Sequence, residues 1–307
     1  MSSVRSYFFR ALSKAVSLRM NALGSVSRLR RFSERISRPL RLPRRTVTHL
    51  LTIRGVSAEW ILPGSVSSQP VILYLHGGGW VLGWYQSHRV LSAHIGKASQ
   101  SRVLAVNYRL APENPFPAAL EDCLAAYHWI VNENVAPDRI VIAGDSAGGN
   151  LTLAMLMVLR DAGDPLPAAA VCISPMTDLA CTGETFHANR DALLTAEFAA
   201  SMARYYRGER DPCLPLISPH YGDMRGLPPL LIQAGEYEIL LSDAQRIADK
   251  ARSAGVHVTL TVWPKMWHVW HVNTPWLPEA KQAVDTIGSF IRKHTERAGR
   301  RNDGDAV

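Results

Sequence analysis

The sequence predicts an α/β protein built on a mostly parallel sheet covered by helices on both faces. Two observations predict it. From residue 46 onward, short apolar or β-branched runs alternate with helix-length segments, and strands joined by crossover helices pair in parallel with both sheet faces buried. One of these strands, 139–143, passes through a glycine-framed turn directly into a long apolar helix.

Taken in order, 46–53 and 58–62 read as the strands of a hairpin turning at Gly55. The run 71–75, Val-Ile-Leu-Tyr-Leu, reads as a buried strand. A helix over 87–99, a strand at 102–107 and a helix over 118–133 follow, then strand 139–143 and helix 147–160. Strands at 168–173, 229–234 and 256–262 complete the set, with helices near 243–254 and 277–294. The rhythm breaks between 174 and 227, where Pro175, Pro212, Pro215 and Pro219 punctuate a stretch without strand signal. An insertion of that length between consecutive strands is more often a cap than a plain loop, so residues 175–227 are assigned to a cap and 46–294 to one catalytic domain. The polar tail 295–307 is expected to be disordered.

With 47% apolar and 20% charged residues in 307, disorder and collagen-like architecture are excluded. Cys123, Cys172, Cys181 and Cys213 share no C-x-x-C spacing, which argues for reduced thiols and a cytoplasmic location, and against a zinc site. No run reaches the roughly 18 apolar residues of a membrane span. The net charge of +8 divides unevenly: residues 1–45 hold twelve Lys/Arg and one acid, a net of +11, whereas the rest has 22 basic and 25 acidic residues, a net of −3. A nucleic-acid-binding domain would carry its basic face on the folded body, so none is expected. Within the arm, Phe8, Leu12, Ala15, Val16, Met20 and Leu23 recur at helical spacing among basic residues. This basic amphipathic helix is expected to dock as part of the cap. A peripheral membrane contact or a targeting segment has the same signature.

Gly144-Asp145-Ser146-Ala147-Gly148 is the chain's one G-x-S-x-G. About 0.1 such matches arise by chance in a chain of this length, so its position between strand and helix carries the weight. There the glycines permit a sharp turn that lifts the Ser146 hydroxyl above the sheet, and the helix N-terminus favours an anion. His76-Gly77-Gly78-Gly79 follows strand 71–75 as an oxyanion loop in which Gly77 serves the turn. The N–H groups of Gly78 and Gly79, joined by that of Ala147, form the expected oxyanion hole. A phosphate loop is a poor alternative, since Leu82 stands where G-x-G-x-x-G needs glycine.

A serine nucleophile needs a base beyond the last strand, which leaves His268 and His271. Their spacing could suit a metal, yet no Cys, Asp or Glu lies near to complete a ligand set, and no metal is expected. The triad acid must follow strand 229–234, where the candidates are Glu236, Glu238 and Asp243. Ser242-x-x-Gln245 reads as a capping box that would occupy Asp243 in the first turn of a helix, and Glu236 lies only two residues past Ala234.

These motifs, with Tyr108-Arg109-Leu110-Ala111-Pro112-Glu113, Asp211-Pro212 and Met266-Trp267-His268, resemble the hormone-sensitive-lipase-like family of carboxylesterases over about residues 46–292. The resemblance implies an α/β-hydrolase fold with an eight-stranded sheet and a cap made from the N-terminal segment plus the insertion. It also implies Ser146 as nucleophile, His268 as base, Glu238 as acid and Gly78, Gly79 and Ala147 as the oxyanion hole. One position departs from the pattern, because many relatives have Asp-Pro-Leu where this chain has Glu238-Ile239-Leu240. Arg109 and Glu113 are expected to form an ion pair beneath the site, Asp145 to support the elbow, and some of Trp80, Trp84, Trp267 and Trp270 to line an acyl pocket.

The implied function is hydrolysis of short- to medium-chain acyl esters through an acyl-enzyme, on a small-molecule ester substrate and without a cofactor. Lactone hydrolysis and a membrane-surface lipase remain alternatives, and a homodimer is left open. Some folds resembling this family serve as receptors with a broken triad, but all three triad side chains are present here.

Overall fold

The computed structural model describes residues 3–64, 70–188 and 190–302, with side chains as far as 296. Eight strands form one sheet: β1 (Thr46–Ile53), β2 (Val56–Pro63), β3 (Val71–Leu75), β4 (Arg102–Asn107), β5 (Ile140–Asp145), β6 (Ala169–Ile173), β7 (Leu230–Gly235) and β8 (Val258–Trp263). Their order across the sheet is β1-β2-β4-β3-β5-β6-β7-β8. Only the hairpin β1/β2 and its contact with β4 are antiparallel, and every later pairing is parallel. Strand ends lie within two residues of those read from the sequence.

The central strands are apolar throughout because both of their faces are covered. Along β3, Val71, Leu73 and Leu75 join one core while Ile72 and Tyr74 join the other, as the two-residue period of a strand requires. Helices α4 (Ala118–Asn132), α5 (Ala147–Ala162) and α7 (Leu241–Ser253) pack Leu120, Leu153 and Ile247 into the first core. Helices α3 (Gln86–Ser99) and α8 (Pro278–Asn302) pack Leu91 and Ile287 into the second. The stretch between β6 and β7 has one longer helix, α6 (Ala196–Arg207), and among its described residues no strand.

Three expectations are corrected. The C-terminal helix does not stop near 294 but continues to Asn302, so the disorder expected from 295 does not hold over 295–302; residues 303–307 lie outside those described. The arm holds two helices, α1 (Val4–Asn21) and α2 (Val26–Ser37). The second was not read from the sequence, although Val26, Leu29, Phe32 and Ile36 recur at helical spacing among arginines; its buried residues are Leu29, Ser33 and Ser37. Ser242 is no helix cap either: α7 begins at Leu241, and the Ser242 backbone N–H donates to Thr185 Oγ1 at 3.0 Å.

Candidate active site

Ser146 sits where β5 turns into α5, with φ 54° and ψ −114°, a left-handed conformation that a non-glycine residue holds only under constraint. Its backbone N–H donates to Ile173 O at 2.8 Å. The turn is tight because α5 starts against the sheet, and a β-carbon on Gly148 would overlap the Leu75 carbonyl oxygen.

Glu238 lies just past β7 and His268 just past β8, so the C-terminal edges of three parallel strands bring the side chains together. Ser146 Oγ is 2.9 Å from His268 Nε2, and His268 Nδ1 is 3.3 Å from Glu238 Oε2. The other carboxylate oxygen of Glu238 accepts from Ser174 Oγ at 2.7 Å and from the Gly235 N–H at 2.6 Å. Burial pushes the His268 imidazolium down, but the hydrogen bond and charge of Glu238, aided by Asp191 and Asp145, outweigh it and hold the group above its ordinary value.

The other candidates fall elsewhere. Glu236 Oε2 accepts the Lys265 N–H at 2.8 Å. Asp243 is buried and accepts the N–H groups of Thr177 and Asp178 at 2.7 and 2.9 Å, and burial raises its pKa to about 7. His271 Nε2 is 2.8 Å from Gln233 Oε1 inside the core, where burial lowers its pKa to about 3.

Above the serine, Gly78 (φ 104°) and Gly79 (φ 62°), and not Gly77 as expected, make the turn after β3 in a backbone conformation open to glycine. Gly77 is needed instead for close approach to the Asp145 side chain. Both line the same cavity as Ser146 and His268. The elbow and this loop are joined by Asp145, whose Oδ1 accepts from Tyr74 Oη at 2.6 Å and from the Gly77 N–H at 3.0 Å. His76 is buried beside the loop, its ring stacked on Tyr108 at 4.2 Å, and Tyr108 Oη donates to His76 O at 2.7 Å. Burial lowers its pKa to about 3.

The cavity measures about 300 Å³. Leu12, Val16 and Met20 of α1 and Phe198 and Met202 of α6 form apolar walls, so the arm and the insertion enclose it together. Trp80 and Trp267 line it, whereas Trp84 hydrogen-bonds Glu59 and Trp270 is buried beside Trp263. The expected Arg109–Glu113 pair is not formed. Arg109 pairs with Asp122 at 2.7 Å on α4, and Glu113 instead pairs with Arg30 of α2 at 2.7 Å, a partner that only folding of the arm onto the body could bring there.

Two residues at the site went unread in the sequence. Ser174, the first residue after β6, links the loops that carry Glu238 and His268: its hydroxyl donates to Glu238 and accepts the Val269 N–H at 3.2 Å. Asp191 of the insertion accepts the backbone N–H of His268 at 3.2 Å and that of Ile239 at 3.3 Å. A hydroxyl at a strand's C-terminal end was an available signal for Ser174. For Asp191 there was none.

The chain matches the model of an α/β-hydrolase-fold family over residues 72–272. An acetyl-hydrolase of Streptomyces hygroscopicus is 48% identical over 248 residues, covering 80% of this chain and 83% of its own. An esterase of Acinetobacter venetianus is 36% identical over 243 residues, with coverages of 78% and 80%. A solved esterase from the bacterial hormone-sensitive lipase family superposes with a TM-score of 0.90 at 44% identity, covering 96% of this chain and 100% of that one. The chain belongs to the hormone-sensitive-lipase-like family of α/β hydrolases. It is an ester hydrolase.

Proposed function

We propose that the protein is a serine carboxylesterase that hydrolyses short- to medium-chain acyl esters through an acyl-enzyme. The observation that carries this reading is the 2.9 Å contact between Ser146 Oγ and His268 Nε2 on the wall of an apolar cavity. His268 removes the serine proton as Oγ attacks the ester carbonyl. The carbonyl oxygen gains the negative charge and is received by the N–H groups of Gly78, Gly79 and Ala147. His268 then protonates the departing alcohol, and the same imidazole activates the water that releases the acid. Glu238 holds the Nδ1 proton and stabilises the imidazolium. A cavity of about 300 Å³ is at the small end of ligand sites, which favours short acyl groups over long ones.

A lactone would be opened by the same attack. Esters presented by a lipid surface are a further reading, favoured by the exposed apolar residues of α1. The test is turnover of p-nitrophenyl esters of graded chain length by wild type and Ser146→Ala. A burst of p-nitrophenol in wild type, declining rates beyond medium chains and a variant without burst are expected. Undiminished turnover by Ser146→Ala would remove the assignment.

A further inference from the structure

Helix α1 buries serines and exposes apolar side chains. Its buried residues are Ser6 and Ser17, whereas Val4, Tyr7, Phe8, Leu12 and Leu18 are 87, 59, 66, 49 and 66% exposed. Advancing about 100° per residue, these five fall with Ala11 and Ala15 within an arc of about 140°. The expected apolar face is thus split: Val16 and Met20 turn to the cavity, Phe8 and Ala15 face outward, and Leu12 lies on the border of both. Exposed Arg5, Lys14 and Arg19 share or flank the outward arc. An aromatic group extends it, because Phe8 and Phe9 meet edge to face at 5.4 Å and Phe9 stacks at 6.0 Å on Trp276, itself 44% exposed.

In water such a face is a liability, and a contiguous apolar patch marks a surface that something covers. Charge selects the occupant. Helix α1 carries Arg5, Arg10, Lys14 and Arg19 and no acidic residue, so two copies of this face would repel each other, whereas an anionic bilayer attracts it. Aromatic rings and a basic border are the composition that settles at the headgroup level. Leu12 connects this face to the site, since it is half exposed and also lines the cavity. We propose that α1 docks the protein on an anionic lipid surface, with the cavity mouth beside Leu12 turned toward the bilayer, so that esters dissolved in the membrane are its substrates.

Docking and ester hydrolysis share only the cavity, so vesicle binding is measured separately from turnover. Full-length protein is sedimented with vesicles of phosphatidylcholine, with and without phosphatidylglycerol, at low and high salt. Binding to the anionic vesicles, release by salt and a loss of about tenfold or more in Phe8→Ser/Leu18→Ser are expected. That variant should keep its turnover of p-nitrophenyl butyrate in vesicle-free buffer, because neither residue lines the cavity. No binding at any phosphatidylglycerol content would overturn the proposal. So would a wild-type dimer that the same two substitutions dissociate, because a second copy would then cover the face.

Discussion

The carboxylate of Asp191 accepts the backbone N–H of His268 at 3.2 Å and, through its other oxygen, that of Ile239 at 3.3 Å. One side chain from the insertion therefore ties the loop of His268 to the loop that carries Glu238. Burial raises its pKa to about 6, and its charge adds to the field that raises the His268 pKa.

Asp191→Asn should lower kcat by roughly ten- to a hundredfold, because small displacements of a base are costly. It should also move the acid limb of the pH profile to lower pH, an effect that loss of a purely structural contact would not produce. The stability sign is opposite to that of an ordinary carboxylate. With its folded pKa raised from 3.8 to about 6, ionisation of Asp191 destabilises the fold, a cost absent below 3.8 and complete above about 6. The Asn variant should gain stability relative to wild type across that window, as read by melting temperature against pH.

The proposed mechanism needs neutral His268, and its pKa is raised above the ordinary value, burial being outweighed chiefly by Glu238. Activity should therefore fall on the acid side along a limb centred above pH 6.5. Stability runs the other way: the contribution of the imidazolium is fully present below the unfolded pKa and is lost as pH rises through the folded one. Glu238→Gln should shift the limb downward and reduce kcat by about 10³ to 10⁴ with little change in KM. Glu236→Gln, whose carboxylate binds Lys265 N, should stay near wild type. A dead Glu236→Gln beside an active Glu238→Gln would transfer the role.

The two histidines separate by their surroundings. His268→Ala should cost several orders of magnitude in kcat. His271→Ala leaves Gln233 Oε1 without its partner at 2.8 Å in the core, so it should lower stability by about 1–3 kcal/mol and affect rate far less. Denaturant unfolding and steady-state kinetics on both variants decide the ranking.

Arg30 of α2 donates to Val81 O at 2.8 Å and Ala111 O at 2.9 Å as well as to Glu113. It thereby fastens the arm just behind Gly78 and Gly79. Arg30→Ala should cost about 1–3 kcal/mol, chiefly through the two carbonyls, because the exposed side of the Glu113 pair is screened by water. It should also raise KM as the arm wall loosens. An unchanged melting temperature and KM would mean that the arm is held by other contacts.

The order of strands and helices was legible in the sequence because a sheet covered on both faces writes an unmistakable apolar run at each buried strand, as at Val71–Leu75. Ser146 and the glycines of the loop after β3 were legible for a related reason: a sharp turn at a strand's end demands glycine at set offsets, and that demand is local. Chain order narrowed the base only to His268 or His271, and the family resemblance chose between them. The tertiary structure decided what local pattern cannot carry. Arg109 and Glu113 find partners on α4 and α2 and not each other, and Asp191 reaches His268 across 77 positions of chain. A side chain's partner over such a separation depends on how whole elements pack, and α1 shows the limit most plainly. Its apolar residues predicted the helix, but only its seating over the cavity decided which of them face the site and which face outward.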